Sequence, residues 1–167
     1  GRIGGAEAVE VLREVTTASE PALAVEAVRA LGLARRSPGE AGQVLRGILA
    51  GGGTVMRVAA VKAAGDLGHG PTLDLVIRHL RSRDRLVREA LTAVTASRQP
   101  RSVAALVALL AEQRTPQEVR TEAVNALSMI QSPRAQPALR QVISSKTARP
   151  ELRLAAARAL SRCGDPG

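Results

Sequence analysis

The sequence predicts an all-α fold, an α-solenoid wound as a right-handed superhelix from about five two-helix repeats. Three observations predict it. One pattern of apolar residues recurs at near-constant spacing along the chain, and prolines and glycines fall between the helical stretches. The 167 residues also contain no Phe, Tyr or Trp. A core of Ala, Leu, Val and Ile suits helices that approach closely, not a globule built on large aromatic anchors.

The second helix of each repeat carries the clearest signal. Ala27, Ala60, Ala90, Ala123 and Ala156 are spaced by 33, 30, 33 and 33 residues. Three positions after each comes another alanine: Ala30, Ala63, Ala93, Ala126 and Ala159. Four positions before the anchor stand Leu23, Met56, Leu86, Val119 and Leu152. One after it come Val28, Val61, Leu91, Val124 and Ala157, and four after it Leu31, Ala64, Val94, Leu127 and Leu160. These offsets trace one stripe of a 3.6-residue helix.

The first helix of each repeat lies between the anchored ones. Its apolar residues are Val9, Leu12 and Val15, then Val44, Leu45, Ile48 and Leu49. Leu73, Val76, Ile77 and Leu80 follow, then Val103, Leu106, Val107 and Leu110, and finally Leu139, Val142 and Ile143. Pro38, Pro71, Pro100 and Pro133 stand at or beside the starts of these helices, and Pro21, Pro116 and Pro150 precede or open the anchored ones. A proline at a helix start gives up an N–H that has no intrahelical partner there. The expected organisation is a single repeat domain with repeats at about 1–34, 35–67, 68–97, 98–130 and 131–167.

The residues Val119-Arg120-Thr121-Glu122-Ala123-Val124-Asn125-Ala126-Leu127, followed by Ser132-Pro133-Arg134-Ala135-Gln136-Pro137-Ala138-Leu139, resemble the short HEAT-like repeats of bacterial proteins, of the phycobilisome-lyase type. The same pattern returns around Met56–Gly65 and Leu152–Leu160. The resemblance implies the solenoid and leaves activity open, because the family hosts scaffolds, lyases and DNA-repair enzymes. It also implies that Arg57, Arg120 and Arg153, each three before an anchor, tie adjacent repeats together through carbonyls or acids. On the helical wheel this offset falls within the buried stripe, so a structural role is favoured over a ligand-binding one.

Both ends run into the repeat pattern: Arg2-Ile3-Gly4-Gly5 matches a helix tail, as does Leu160–Pro166. The reading is an excerpt of a longer array, or ends covered by further repeats or a partner. No stretch is long and apolar enough for a membrane span, and no leader is visible before the first helix, which favours the cytoplasm.

Charge is the second guide to function. The 24 basic residues, 22 of them arginine, outnumber 15 acids for a net +9, which predicts attraction to anionic partners. Residues 35–110 hold 12 basic and 5 acidic side chains, residues 1–34 only 3 and 5. The densest cluster is Arg78, His79, Arg81, Arg83, Arg85 and Arg88, at the turn inside the third repeat. Arg35, Arg36, Arg98, Arg101 and Arg134 fall on the opposite set of turns and could line one edge as contacts for an anion. On the anchored helices the offsets −1, +2 and +6 form the expected solvent ridge, with Arg29, Lys62, Asn125 and Arg158 as candidate partner-binding residues. An ordinary solvated face or turn accounts for any one of these equally well.

Catalytic groupings do not emerge. His69 and His79 have no carboxylate or second histidine at ligand spacing, and Cys163 aligns with apolar tail positions as a small core residue. Gly51-Gly52-Gly53 lacks the Lys-Ser/Thr of a phosphate loop. No cofactor or metal is expected. The leading function is a non-catalytic protein-interaction scaffold whose partner carries acidic patches. Duplex DNA gripped by an Arg-rich edge is the alternative, weakened by the lack of aromatics to stack on bases. A phycobilin-lyase role rests on the family resemblance alone.

Overall fold

Proline and glycine punctuation sets the helix starts. A computed structural model of the chain describes residues 5–17, 20–80, 86–112 and 114–163. Among these residues are ten α-helices and no strand: α1 (Gly5–Val15), α2 (Pro21–Leu31), α3 (Pro38–Gly51), α4 (Thr54–Leu67), α5 (Gly70–His79), α6 (Val87–Ser97), α7 (Pro100–Ala111), α8 (Gln117–Ile130), α9 (Gln136–Ser144) and α10 (Pro150–Cys163). No described helix is long and apolar enough to cross a membrane. The architecture is an all-α solenoid.

The chain divides into two compact blocks, 1–97 and 98–167. In the first, α1 pairs with α2, α3 with α4 and α5 with α6. The odd helices form one layer and the even ones the other, with α4 packed between α2 and α6. The second block repeats the plan with two pairs, α7 with α8 and α9 with α10, and α8 against α10 in the even-helix layer.

All five anchor alanines are buried, at 4% exposure or less. A methyl group there lets the even helices approach closely, and larger residues beside it fill the space. Val28, Leu31, Val61, Leu45, Leu73 and Val76 are fully buried in the first block, and Leu106, Val124, Leu127 and Leu139 in the second. The stripe is not uniform. Leu23, four before the first anchor, is 48% exposed, and Ala157, one after the last, is exposed too.

Five positions after the anchor the chain tightens further. A Cβ built on Gly65 of α4 would stand 2.7 Å from both the Cα and the carbonyl oxygen of Ala93 on α6. One on Gly32, at the same register of the first repeat, would stand 2.9 Å from the same two atoms of Ala63. So the +5 residue of one even helix sits against the +3 alanine of the next.

Eight positions after the anchor the backbone turns left-handed, at Gly68 (φ 65°), Arg98 (φ 49°) and Gln131 (φ 57°). The Gly68 N–H donates to the Ala64 carbonyl (3.1 Å) and the Gln131 N–H to the Leu127 carbonyl (2.9 Å), closing the last helical turn. A side chain is strained in this conformation and glycine is not. Gln131→Gly is therefore expected to stabilise the second block by about 1 kcal/mol, after the entropy glycine gains in the unfolded chain is set against the relieved strain. The thermal midpoint should rise by about 2–4 °C. A lower midpoint would show that the Gln131 side chain contributes more than its backbone strain removes.

The fifth repeat opens differently. Pro133–Ala135 forms a 3-10 turn before α9. Pro137 lacks the N–H that would bond the Pro133 carbonyl four residues back, so the Gln136 N–H donates to that carbonyl and closes a tighter turn.

Candidate functional site

The ridge expected on the even helices reaches solvent at most of its positions. Glu26, Arg29 and Leu33 are exposed on and just after α2, Lys62 and Asp66 on α4, and Thr92 and Ala96 on α6. In the second block Asn125 and Met129 of α8 and Arg158 and Arg162 of α10 are exposed. Ala59 departs from the pattern and is buried, while Glu89, Glu122 and Ala155 are half-buried. Two large apolar side chains stand out at the same register, six after their anchors: Leu33 at 71% exposure and Met129 at 63%. Arg29 forms an ion pair with Glu26 one turn earlier, so its charge is partly neutralised within the ridge.

The basic turn of the third repeat is only partly described. Arg78, in the last turn of α5, and Arg88, in the first turn of α6, are both exposed; Arg81, Arg83 and Arg85 lie outside the described residues. Arg88 interacts with other groups of the chain, as does His79.

The edge arginines are all exposed, within their own blocks. Arg35 reaches the Asp66 carbonyl at the end of α4 (3.4 Å), which links the first repeat to the second, and Arg36 follows it on the same turn. In the second block Arg98 and Arg134 flank a shallow depression of about 280 Å³ floored by Pro100 and Val103. Arg101 lies in the first turn of α7 and interacts within the chain.

Two arginines of the ladder, Arg120 and Arg153, bond within their own repeats and not across to the next, and Arg57 also interacts within the chain. An Arg120 Nη2 N–H donates to the Leu110 carbonyl (3.1 Å), and the Arg153 Nε–H to the Ile143 carbonyl (2.8 Å). Both acceptors lie ten residues earlier, in the last turns of α7 and α9, so each arginine joins the two helices of its own repeat. The cause is geometric. A side chain in the first turn of the second helix lies beside the end of the first, where the last carbonyls have no intrahelical donor. Nor is the offset uniformly buried, since Arg57 and Arg120 are half-buried and Arg153 is exposed.

His69 is the residue before α5, and its Nδ1 lies 3.0 Å from the Thr72 hydroxyl. That hydroxyl donates its single proton to the Gly42 carbonyl (3.3 Å), so His69 donates from Nδ1. Thr72 is fully buried, and the set joins α3 to α5 as structure. Cys163 is 2% exposed, and burial pushes its thiol pKa up. Its Sγ–H points at the Leu127 carbonyl of α8 (3.6 Å). Gly51-Gly52-Gly53 spans the end of α3 and the turn to α4.

Some polar contacts had no sequence signal. Gln136 Nε2 donates to the Cys163 carbonyl at the end of α10 (3.0 Å), 27 residues away. A pair this distant leaves no periodicity to read. Among the described residues no group of three or more His, Cys, Asp or Glu is placed to hold a metal ion.

Residues 110–167, which include α8, α9 and α10, match the family of HEAT repeats. That segment is built of HEAT-like repeats. The fold is also similar to that of an engineered protein from a structural genomics consortium, with a TM-score of 0.55 and 24% identity. The match covers 95% of the present chain and 48% of the engineered one, so the chain spans about half the length of that protein. No curated protein matches the sequence. HEAT repeats generally act as protein-interaction scaffolds, typically without catalysis of their own.

Proposed function

We propose that this HEAT-like array is a non-catalytic scaffold that binds a protein partner through the even-helix ridge of each block. The exposure of Leu33 and Met129 at one register of that ridge carries the reading. Isolated exposed apolar residues are common on protein surfaces. Each block carries one at the same register, six positions after an anchor, and an exposed cation on the same ridge, Lys62 in the first and Arg158 in the second, a mixed composition of the kind protein partners use. The cations favour a partner with acidic patches, and electrostatic attraction speeds the encounter.

The test compares partner capture by the chain with capture by a ridge variant, Leu33→Asp with Lys62→Glu and Met129→Asp. These positions are exposed, so helical circular dichroism is expected to stay unchanged while retention of the captured proteins falls at least tenfold. Unchanged retention would remove the ridge as the binding surface. Duplex DNA held at low salt and released steeply as salt rises would replace the protein partner with nucleic acid.

A further inference from the structure

In the second block a cleft of about 460 Å³ opens between α7, α9 and the connection from α9 to α10. Val107 and Val142 form its apolar wall, and Gln117, Arg120, Ser145 and Thr147 bring polar groups to it. Arg120 is the unusual member. Among the described residues its single polar contact is the Nη2 bond to the Leu110 carbonyl, and its Nε–H is buried with no acceptor. The Gln117 carboxamide oxygen is likewise buried without a donor. A guanidinium has five N–H donors and keeps its charge, so half-burial beside a single carbonyl leaves it undercompensated.

Arg57, at the same register of the second repeat, also has a buried Nε–H without an acceptor but interacts elsewhere in the chain, and two further comparisons bear on the cleft. Arg153, at the same register of the next repeat, is exposed and uses its Nε–H on the Ile143 carbonyl. The matching groove in the first block, between α1 and α3, holds about 630 Å³. There the one lining arginine is already paired: Arg13 bonds Glu10, that hydrogen bond holds the Glu10 carboxyl below its usual range, and Glu40 adds a second carboxylate. The register of Arg120 is occupied in the first repeat by Ala24, which brings no cation. Among the described residues Arg120 has no ion-pair partner, and Glu118 of the same helical turn lies toward Arg149 instead (3.8 Å).

We propose that this cleft binds a peptide carboxylate, with Arg120 as its counter-ion and Gln117 accepting a neighbouring backbone N–H. The carboxylate supplies the acceptor that the guanidinium lacks, in a charge-assisted pair that arginine forms with bidentate geometry. Peptide N–H groups supply the donor missing at the Gln117 carboxamide, and an adjoining apolar side chain rests on Val107 and Val142. The hydroxyls of Ser145 and Thr147, 3.1 Å apart, form a polar lip. The carboxylate has two sources in peptides, a chain terminus or an acidic side chain. The site is distinct in its residues from the ridge, so either can fail without the other.

The experiment follows amide resonances of Gln117, Arg120, Ser145 and Thr147 during titration with three short alanine–leucine peptides: one with a free C-terminus, one amidated, and one amidated with a central glutamate. The first or third is expected to shift them and the second to leave them still, and which of the two binds assigns the source. Arg120→Gln should weaken that binding at least tenfold, while Arg153→Gln leaves it unchanged. If Arg120→Gln fails to fold, Ala138→Leu fills the cleft without touching the guanidinium and should weaken binding equally; Val44 already holds a larger side chain at the matching place in the first block. Absence of shifts with all three peptides overturns the proposal. So does equal binding of the amidated peptide or of inorganic phosphate, or binding that survives both variants.

Discussion

Gly65→Ala is expected to destabilise the 1–97 block by about 2 kcal/mol, although alanine is the better helix former by about 1 kcal/mol. The added methyl would stand 2.7 Å from the Ala93 Cα and carbonyl oxygen and 2.8 Å from its Cβ. Backbone atoms cannot swing aside as a side chain can, so α4 and α6 must separate and loosen the buried contacts around Ala60, Ala64 and Val94. Overpacking of this kind typically costs about 1–3 kcal/mol or more, and here it exceeds the propensity gain. Gly47→Ala on α3 is the control. A Cβ there meets nothing within 4 Å, so only propensity acts and the variant should gain about 1 kcal/mol. Urea unfolding followed by circular dichroism reads both changes, since the chain has no aromatic fluorophore. Two shifts of the same sign would show that the α4–α6 contact is looser than its geometry.

Leu139→Ala is expected to cost the second block about 2–5 kcal/mol. Leu139 is fully buried on α9, a helix of only nine residues that packs against α10. Removing its isobutyl group loses the transfer energy of the missing atoms and leaves a void that a short helix between two turns closes only in part. Cys163 provides a local reporter, because it is buried in the same block and holds its thiol protonated. Labelling of the thiol by a maleimide should accelerate in the variant in step with the loss of stability. A cost under about 1 kcal/mol would mean that the neighbours collapse into the space.

The solenoid was legible because its determinants are local and repeated. Ala60 and Ala123 face the same kind of neighbour, and the prolines that open α3 and α7 act on their own backbone. The candidate site was much less so. The exposure of Lys62, Asn125 and Arg158 follows from helical phase, but the residue types needed there depend on a partner that the scaffold does not encode. The ladder showed where sequence reasoning fails physically: register placed Arg120 and Arg153 correctly near the helix start, yet their acceptors depend on how two helices meet across a turn. Gln117 and Ser145 escaped notice because neither belongs to the repeat. Their importance comes from sharing a cleft with Arg120, and that sharing exists only in three dimensions.

The bond from Arg120 to Leu110, and its twin from Arg153 to Ile143, has a bearing on how such a chain can change in length. Each latch begins and ends inside a single genetic segment of about thirty-three residues. Duplicating or deleting that segment carries the donor together with its acceptor, and no latch in a neighbouring copy has to be rewritten. Had the arginine reached across to the next repeat, every recombination point would have separated the donor from its acceptor. An array latched this way can be shortened, extended or spliced by whole copies, and the same cut sites are the natural ones for building chimeras from it.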